Sequence, residues 1–518
     1  MMSLHTYYFK RLIWVLIAKT CFIVGFIIWG GVGLGPDEAQ YWTWSQKLDW
    51  GYYSKPPGVA WQIWLGTQLW GQTELGIRFF SLIWSFLQSY LVFVLALEAG
   101  LKPRTAFWSG IVMAFSPIGL LGSFLAITDG GCLIFWTLAC IIVVRALRKN
   151  LSPSPFLVGL CLMAGALFKW PIYFFWVFFL ISQYLWFPQL SLTRLVSGIC
   201  VSLMGLLPSF WWNISHDWAT FRHVFSTLQG GHGATGGNFF EFLGVQALLI
   251  SPILFGLLLY SWFYQAKKMK PTPLIHTSFK KTLLFCGGLS LICLACALGL
   301  SLFQKIQGNW IVFAYPTAIV WLAGFACEGS RHEKWLKLGV ATAGCLVLSL
   351  FSFPLFYQSQ WRPIFMTYKW NPFKHNMGWD QLEQSLLEAK YNPLTDFLVS
   401  DKYQTTSILS FYGPLQQRAY FLNLHHARQN QFSYWPSMVD DYAGKTGYFI
   451  WMENQPYLER DWKKKLDFYQ NELKNYFKHV ELMGLFPLLY ENQKVVKGVF
   501  IFRCTDCKSN PLPSTQIF

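Results

Sequence analysis

Two adjacent carboxylates, Asp37 and Glu38, come directly after the first long apolar run of the chain, and Lys55 follows on the same polar stretch. A carboxylate held near apolar surface can act as a general base, and a nearby cation can neutralise a phosphate group. The carboxylate pair could instead be a solvated helix start, where negative charge suits the helix dipole. The combination with Lys55 favours the chemical interpretation of this loop.

Further polar residues lie at the ends of later apolar runs. Each has a structural alternative: Thr128 could cap the helix that follows it, Lys169 could extend to the membrane interface, and a lone histidine such as His216 is more often structural than a ligand. If they converge, they form a charged cavity at the outer leaflet that is open sideways to lipid. A glycine-rich stretch at 229–237 is predicted to be a flexible loop that could close over a substrate. The candidates are Asp37, Glu38, Lys55, Asp129, Lys169, His216, Asp217 and Arg222.

The elements that position these residues are predicted to be membrane-spanning helices. The chain has 518 residues, 54% hydrophobic and 13% charged, and its long unbroken apolar runs point to a bilayer. The first run reaches about Trp29 and is near full spanning length, so a retained helix is expected rather than a signal peptide. About eleven spans, and up to thirteen, are predicted: this first run, then 78–97, 105–124, 130–144, 154–168, 171–187, 195–212, 244–263, 282–302, 310–327 and 336–356.

The distribution of basic residues predicts the direction of insertion. With the N-terminus inside, all six cytoplasmic connections carry Lys or Arg, as the positive-inside rule requires. The opposite loops hold acidic, amide, His and Gly residues instead. The net charge of +16 is thus spread over short clusters rather than one continuous patch, which argues against nucleic-acid binding. A multi-pass protein of the cytoplasmic (inner) membrane is expected, with its N-terminus in the cytoplasm.

The remainder of the chain changes character and is predicted to lie outside the cytoplasm. Residues 1–357 are assigned to a transmembrane domain, whose first outer loop, 31–77, carries the Asp37 motif, and residues 358–518 to an extracytoplasmic α/β domain. The α/β class rests on alternating helix and strand signals. These are a helix-like stretch at 379–390 and strand-like runs at 397–400, 419–424 and 447–452.

An ordered set of motifs resembles one family of membrane enzymes. The first outer loop looks like that of bacterial polyprenyl-phosphate-sugar glycosyltransferases of the GT-C fold, the protein mannosyltransferase-like group that includes the lipid A aminoarabinose transferases. The similarity covers nearly the whole chain, and the ordered set is far more specific than an acidic pair. The matching stretches are Pro36 to Ser45, Leu48 to Tyr52, Lys55-Pro56-Pro57, Glu74 to Arg78, Thr128-Asp129-Gly130, Lys169, His216-Asp217-Trp218, Gly308-Asn309-Trp310, Asp401-Lys402-Tyr403 and Phe421 to Leu424.

The resemblance implies an inverting sugar transfer from a polyprenyl-phosphate donor to a lipid or glycan acceptor. A lipid phosphate leaves as a stable anion, so one base and a cation clamp would suffice. The implied roles are a base at Asp37 with support from Glu38, a donor-phosphate site at Lys55, Arg222 and Tyr41, and substrate contacts from Asp129, Lys169, His216, Asp217 and Arg78. The resemblance leaves the cofactor open: a divalent cation could take part, and Asp129 could orient the sugar or hold that cation.

Two departures leave the sugar open. Gln40 stands where the aminoarabinose transferases have Arg, which removes one candidate phosphate ligand, and Ser54 stands where they have Glu. Two other classes of function remain: a transporter or flippase for lipid-linked sugars, because intramembrane charges also line permeation paths, and a non-catalytic envelope assembly protein. The expected partners are the lipid-linked donor, the acceptor and membrane lipids, with no nucleic acid.

Overall fold

The structure is a computed structural model that describes residues 4–187, 191–228, 236–268, 278–327, 330–425, 427–454 and 462–508. Helices make up this part of the chain as far as Tyr357, and a mixed sheet with short helices follows. The predicted architecture of membrane helices followed by an α/β unit is confirmed. The last helix of the first part ends at the predicted boundary, but the division into two domains stays a prediction.

Seventeen α-helices are present in the described residues up to Tyr357. Three short 3-10 segments, Trp170–Phe174, Met204–Leu206 and Gly308–Ala314, each come directly before an α-helix. The α-helices are α1 (Leu4–Trp29), α2 (Pro36–Ser45), α3 (Gly58–Trp70), α4 (Glu74–Glu98), α5 (Pro103–Phe115), α6 (Pro117–Phe124), α7 (Asp129–Arg148), α8 (Pro155–Ala166), α9 (Phe175–Trp186), α10 (Leu192–Leu203), α11 (Leu207–Ser215), α12 (Ala219–Leu228), α13 (Phe239–Ile250), α14 (Pro252–Lys268), α15 (Ser278–Leu300), α16 (Tyr315–Cys327) and α17 (Ser330–Tyr357).

Seven helices in the described residues are long and apolar enough to cross a membrane, or up to nine if each of two bent pairs is one span. The pair α5 and α6 bends by 55°, and the pair α13 and α14 bends by 104°. Pro117 and Pro252 begin the second helix of each pair, where a missing N–H is tolerated but would break a continuous helix. Two shorter apolar helices, Pro155–Ala166 and Trp170–Trp186, match two further predicted spans. The protein is therefore a membrane protein, while the exact count of eleven is not confirmed.

The first outer loop forms two helices, α2 and α3, which lie between the membrane helices and the sheet. The pair Gly35-Pro36 begins α2, with Pro at a position where its fixed φ suits a helix start. The loop's buried side chains, among them Leu34, Trp44 and Tyr52, share one apolar core with sheet residues such as Leu398 and Ile450. Packing against the sheet thus fixes the position of the loop and the direction of α2.

The C-terminal part is a five-stranded mixed sheet with strand order β2-β1-β3-β5-β4. Strand β1 is parallel to β2 and β3, whereas β3 and β5, and β5 and β4, are antiparallel. The predicted strands at 397–400, 419–424 and 447–452 correspond to β1, β2 and β3, and the predicted helix corresponds to α18. The elements are α18 (Leu382–Glu388), β1 (Phe397–Ser400), α19 (Tyr403–Tyr412), β2 (Tyr420–Phe421), α20 (Met438–Tyr442), β3 (Gly447–Asn454), α21 (Trp462–Leu473), β4 (Phe477–Glu491) and β5 (Lys494–Cys507).

Helix α19 connects the sheet to the candidate site. It packs directly on α2, and its first residue, Tyr403, follows the carboxyl end of β1. In parallel strands the carboxyl ends face the same edge of the sheet, the edge at which such folds bind ligands. Because α19 begins at this edge and packs on α2, the edge lies beside the helix that carries Asp37.

Candidate active site

Asp37 is the second residue of α2, and its carboxylate has no hydrogen-bond or ion-pair partner among the described residues. The side chain keeps an exposed face, yet protein packed around the rest of it excludes water and raises the pKa of the carboxyl group. The charge of Lys55 opposes this shift and that of Glu38 adds to it. A carboxylate with a raised pKa and a free lone pair is suited to accept a proton.

Glu38 is in the opposite situation, although it is the next residue. Its side chain is 2% exposed and accepts two hydrogen bonds from Arg78, each 2.9 Å long. The backbone N–H groups of Gly35 and Ala126 also donate to it, both at 2.9 Å. These four bonds fill the acceptor positions of the carboxylate. Glu38 therefore caps the start of α2 and fixes the loop.

Arg78 completes this buried ion pair from α4. Its side chain is fully buried and also donates to the carbonyl oxygens of Val32 (3.3 Å) and Gly33 (2.8 Å). The guanidinium lies over the ring of Phe124, 4.1 Å from its centroid. Arg78 was predicted to contact the substrate, but its side chain is buried and engaged by protein groups. It holds the backbone that leads into Asp37.

Lys55 is held on the same loop by its backbone. The N–H of Tyr52 donates to the carbonyl of Lys55 (3.1 Å), and the Tyr52 ring stacks on Trp44 with centroids 4.7 Å apart. Two residues beyond Pro56, the N–H of Gly58 donates to the carbonyl of Leu167 (2.7 Å), an approach that a Cβ at Gly58 would obstruct. The loop thereby lies beside the turn that carries Lys169. Burial and the nearby charge of Lys169 lower the pKa of Lys55.

Asp129 and Lys169 form an ion pair close to Lys55. The Lys169 Nζ lies 2.6 Å from Asp129 Oδ1, and the Asn309 side chain donates to the other oxygen at 3.3 Å. Asp129 begins α7, where negative charge suits the helix dipole, whereas the Thr128 side chain makes no capping hydrogen bond. Both carboxylate oxygens have partners, and a divalent cation would have to replace Lys169. Among the described residues, no group of three His, Cys, Asp or Glu side chains could hold a metal ion.

Tyr41 lies one helical turn after Asp37 and is 6% exposed. Burial raises the pKa of its hydroxyl well above the usual value, and the charges of Asp37 and Asp129 add to this effect. Its hydroxyl therefore stays protonated and can donate a hydrogen bond near the two carboxylates. Asp37, Lys55, Asp129, Lys169 and Tyr41 lie close to one another in the structure and are called the open charge cluster below.

A cavity of about 480 Å³ extends from this cluster between α9, α12, α15 and the 3-10 segment at 308–314. Lys55, Lys169 and His223 lie among its lining residues, and most of the others are apolar. The apolar side chains include Trp170, Phe174, Val177, Phe178, Ile292, Leu300, Ile306, Ile311 and Phe313. A cavity with an apolar body and cationic groups in its wall suits an amphiphile with an anionic head.

Three other predicted residues lie apart from the cluster. His216 stacks on Trp212 with centroids 3.9 Å apart, and its Nδ1 lies 2.8 Å from the Trp212 carbonyl. Asp217 is an exposed residue with φ of 52°, and it binds Arg222 through two bonds of 2.7 and 3.0 Å. Arg222, predicted as a phosphate ligand, is thus engaged in a surface ion pair. Of the predicted flexible loop, 229–235 lies outside the described residues.

Three further residues next to the cluster were not predicted as site residues. The charge of Asp37 acts on Tyr403, the first residue of α19, and Arg428 lies next to Tyr403. His223 on α12 lies 3.4 Å from Arg428 through its Nδ1. Burial and the charges of Arg428 and Lys55 lower the pKa of His223 to about 4. No sequence signal places Arg428 here, because it belongs to the C-terminal part of the chain.

Comparisons with known proteins agree with the motifs. The family model for dolichyl-phosphate-mannose-protein mannosyltransferase matches residues 54–212. The lipid A galacturonosyltransferase RgtD of Rhizobium johnstonii is 28% identical over 250 residues, which are 46% of this chain and 52% of that protein. The chain thus spans about half the length of the curated relative it matches.

Two solved structures share the fold. ArnT from Cupriavidus metallidurans bound to undecaprenyl phosphate superposes with a TM-score of 0.65 and 13% identity, over 96% of this chain and 98% of that one. The same protein in its apo state gives 0.61 and 13%, over 94% and 97%. The predicted GT-C fold is confirmed over nearly the whole chain, and the family model confirms the resemblance to this group of glycosyltransferases over part of it.

Proposed function

We propose that the protein moves a sugar, with inversion, from a polyprenyl-phosphate donor to a lipid or glycan acceptor at the outer face of the cytoplasmic membrane. One observation carries the proposal: the Asp37 carboxylate, partnerless among the described residues, lies close enough to Lys55 for the two charges to interact, and Lys55 lines a mostly apolar cavity. A base, a cation and a lipid-sized apolar space in one place match the needs of transfer from a lipid phosphate.

The cavity holds the polyprenyl chain of the donor. Its wall is formed by apolar side chains from α9 and α15, and the Lys55 and Lys169 ammonium groups lie where a phosphate head would enter. The binding of undecaprenyl phosphate by ArnT, which has the same fold, supports this use of the cavity here. Burial of the isoprenoid supplies binding energy, and contacts to the phosphate fix the position of the donor along the cavity.

In the chemical step an acceptor oxygen attacks the anomeric carbon of the sugar, and the bond from that carbon to the phosphate oxygen breaks. The bonding electron pair leaves with the phosphate, and the acceptor proton moves to Asp37. Lys55 neutralises the charge that develops on the phosphate. Attack from the side opposite the leaving group gives inversion. No acid is needed, because a phosphate is a stable leaving group.

Other residues have supporting roles in this scheme. Lys169, oriented by Asp129, adds a second positive charge in the cavity wall, and the Tyr41 hydroxyl donates a hydrogen bond towards the sugar. Glu38 and Arg78 fix the backbone next to Asp37 and do not contact the substrate. Trp212 and His216 support the loop through Asp49, which accepts a hydrogen bond from the Trp212 indole at 3.0 Å.

The proposed class of acceptor rests on a similar protein, and the side of the membrane rests on charge and architecture. The similarity to RgtD, a lipid A galacturonosyltransferase, supports a saccharide lipid of the envelope as the acceptor class. Acceptor access from outside the cytoplasm agrees with the basic cytoplasmic connections of the sequence and with a sheet unit on the Asp37 side.

Mass spectrometry of envelope lipids tests the proposal. Cells without the gene are complemented with wild-type protein, with Asp37→Asn, or with an empty vector. We expect a lipid species larger by one sugar residue in the wild-type cells only, and the mass difference would identify the sugar. Restoration of that species by Asp37→Asn at equal protein level would contradict a catalytic role for the protein and favour an assembly role.

A further inference from the structure

The segment 427–434 of the C-terminal part docks on the first outer loop. The backbone N–H of Tyr53 donates to the side-chain oxygen of Gln431 at 2.7 Å, and Gln431 is 1% exposed. The ring of Tyr434 lies 6.0 Å from that of Tyr53 and 5.9 Å from that of Trp212. The segment is therefore attached to the loop that carries Lys55.

The chain just before this segment is attached to the sheet. Asp401, at the carboxyl end of β1, accepts hydrogen bonds from Tyr469 at 2.7 Å and lies 2.9 Å from His425 Nε2. Asn423 and Ala427 exchange two bonds of 2.7 and 2.8 Å that close a tight turn. Arg428 follows that turn, so its backbone is fixed from both sides although its side chain is exposed.

The Arg428 guanidinium has neutral or cationic neighbours. Its contact at 3.4 Å is with His223, which is uncharged near neutral pH because its pKa lies at about 4. The charge of Arg428 also acts on Lys55, another cation. Neither side chain has a carboxylate ion-pair partner among the described residues. The charges of Asp37 and Asp129 act on Lys55 with the opposite sign. An anion between the two cations would stabilise both and reduce their mutual repulsion.

A second group at the same place lacks a partner. The hydroxyl of Tyr53 is buried and makes no hydrogen bond in the described part of the chain. A buried polar group without a partner usually indicates a missing ligand or water. The charge of Arg428 acts on this hydroxyl too, so the donor and the guanidinium lie in one neighbourhood.

We infer that Arg428 and Lys55 form a two-cation clamp for the phosphate of the lipid-linked donor, with Tyr53 as an additional hydrogen-bond donor. A guanidinium binds two phosphate oxygens at once, and a lysine acts as a point charge. The clamp gives the sheet unit a direct role in donor binding. The inference rests on the proposed function.

Binding and kinetics of purified protein in detergent test this clamp. Wild type, Arg428→Gln, Arg428→Lys and the control Arg503→Gln, an exposed arginine on β5, are titrated with undecaprenyl phosphate and with undecaprenol. Arg428→Gln should weaken binding of the phosphate by about tenfold to a hundredfold, the range for a hydrogen bond to a charged group. Binding of undecaprenol should not change, Arg428→Lys should recover part of the affinity, and Arg503→Gln should match wild type.

Transfer kinetics separate the donor phosphate from an anionic group on the acceptor. We expect Arg428→Gln to raise the KM for the donor and lower kcat, with the KM for the acceptor unchanged. Unaltered binding of undecaprenyl phosphate, or a loss confined to the acceptor KM, would overturn the clamp. If wild-type protein bound undecaprenyl phosphate no better than undecaprenol, the proposed function itself would fail.

Discussion

Asp37 and Glu38 are neighbours in sequence, but they belong to two regions with opposite electrostatics. In the buried ion pair, Glu38 and Arg78 satisfy each other and four backbone groups, and both are nearly inaccessible. In the open charge cluster, Asp37 and Lys55 have no partners among the described residues, and both have shifted pKa values. A charged group whose bonds are all made by protein maintains the fold, whereas one left without partners is available to a substrate.

The largest effect is expected from Asp37→Asn, which keeps the shape of the side chain and removes its basicity. Transfer should fall by about 10² to 10⁴, the usual contribution of a general base. The thermal midpoint should stay at the wild-type value, because Asp37 makes no hydrogen bond in the described structure. Binding of undecaprenyl phosphate should persist, which a steady-state assay with a parallel titration would reveal. A fall in binding as large as the fall in transfer would assign Asp37 to donor binding instead.

The next largest effect concerns the buried ion pair. Glu38→Gln removes the hydrogen-bonded counter-ion of buried Arg78 and leaves it with Glu74 at 3.9 Å. Breaking a buried ion pair costs about 3–5 kcal/mol of unfolding free energy, and the low end of this range is expected here. The double variant Glu38→Gln/Arg78→Met removes both charges and should recover most of this loss. Thermal unfolding of the two single variants and the double variant gives the coupling energy. Additive effects would show that the two side chains do not act as a unit.

A smaller effect is expected from Asp129→Asn. The change removes the charge that holds Lys169 at 2.6 Å and orients it in the cavity wall. The donor KM should rise about tenfold, since a hydrogen bond to a charged group contributes about 1.5 kcal/mol at the low end. The control Asn309→Ala removes only the longer bond, at 3.3 Å, and should change the KM less. Equal effects of the two variants would mean that Lys169 is held by other contacts.

The smallest effect is a narrowing of the pH profile. Burial raises the pKa of Asp37, so activity should be lost on acidification at a pH above the ordinary range of a carboxyl group. Burial lowers the pKa of Lys55, so its charge, and with it activity, should be lost on alkalinisation below the ordinary range of an amine. A plot of kcat/KM against pH reports both limits for the free protein. Lys55→Arg should move the alkaline limit upwards, and an unmoved limit would assign it to another group.

Much of the fold followed from local signals. Apolar runs of spanning length identified the helices, and short β-rich runs identified β1, β2 and β3. Strands β4 and β5 were missed, because their two-residue turn, Asn492-Gln493, lacks the glycine that usually marks a hairpin. Both turn residues nevertheless adopt positive φ, of 48° and 63°, as such a hairpin requires.

The sequence could predict site residues only within individual loops, and not the contacts that each residue makes with other parts of the chain. Asp37, Lys55, Asp129 and Lys169 lie in loops that the topology of the predicted spans places on the same side of the membrane. The topology rule therefore predicts that they share one side. The rule could not separate Asp37 from Glu38, because the difference depends on Arg78 from α4 and the backbone of Ala126. Arg428 could not be predicted as a site residue for the same reason. Packing of the segment 427–434 on the first outer loop connects residues that are far apart in sequence.

The comparison between the two carboxylates is tested most directly by measuring the transfer rate per folded molecule for Asp37→Asn and Glu38→Gln in one reconstituted assay. Folded protein is quantified by the thermal transition of each sample. We expect Asp37→Asn to remain as stable as wild type and to lose at least about a hundredfold in rate, and Glu38→Gln to lose stability while its folded fraction keeps most of the wild-type rate. Wild-type transfer by Asp37→Asn would contradict the account.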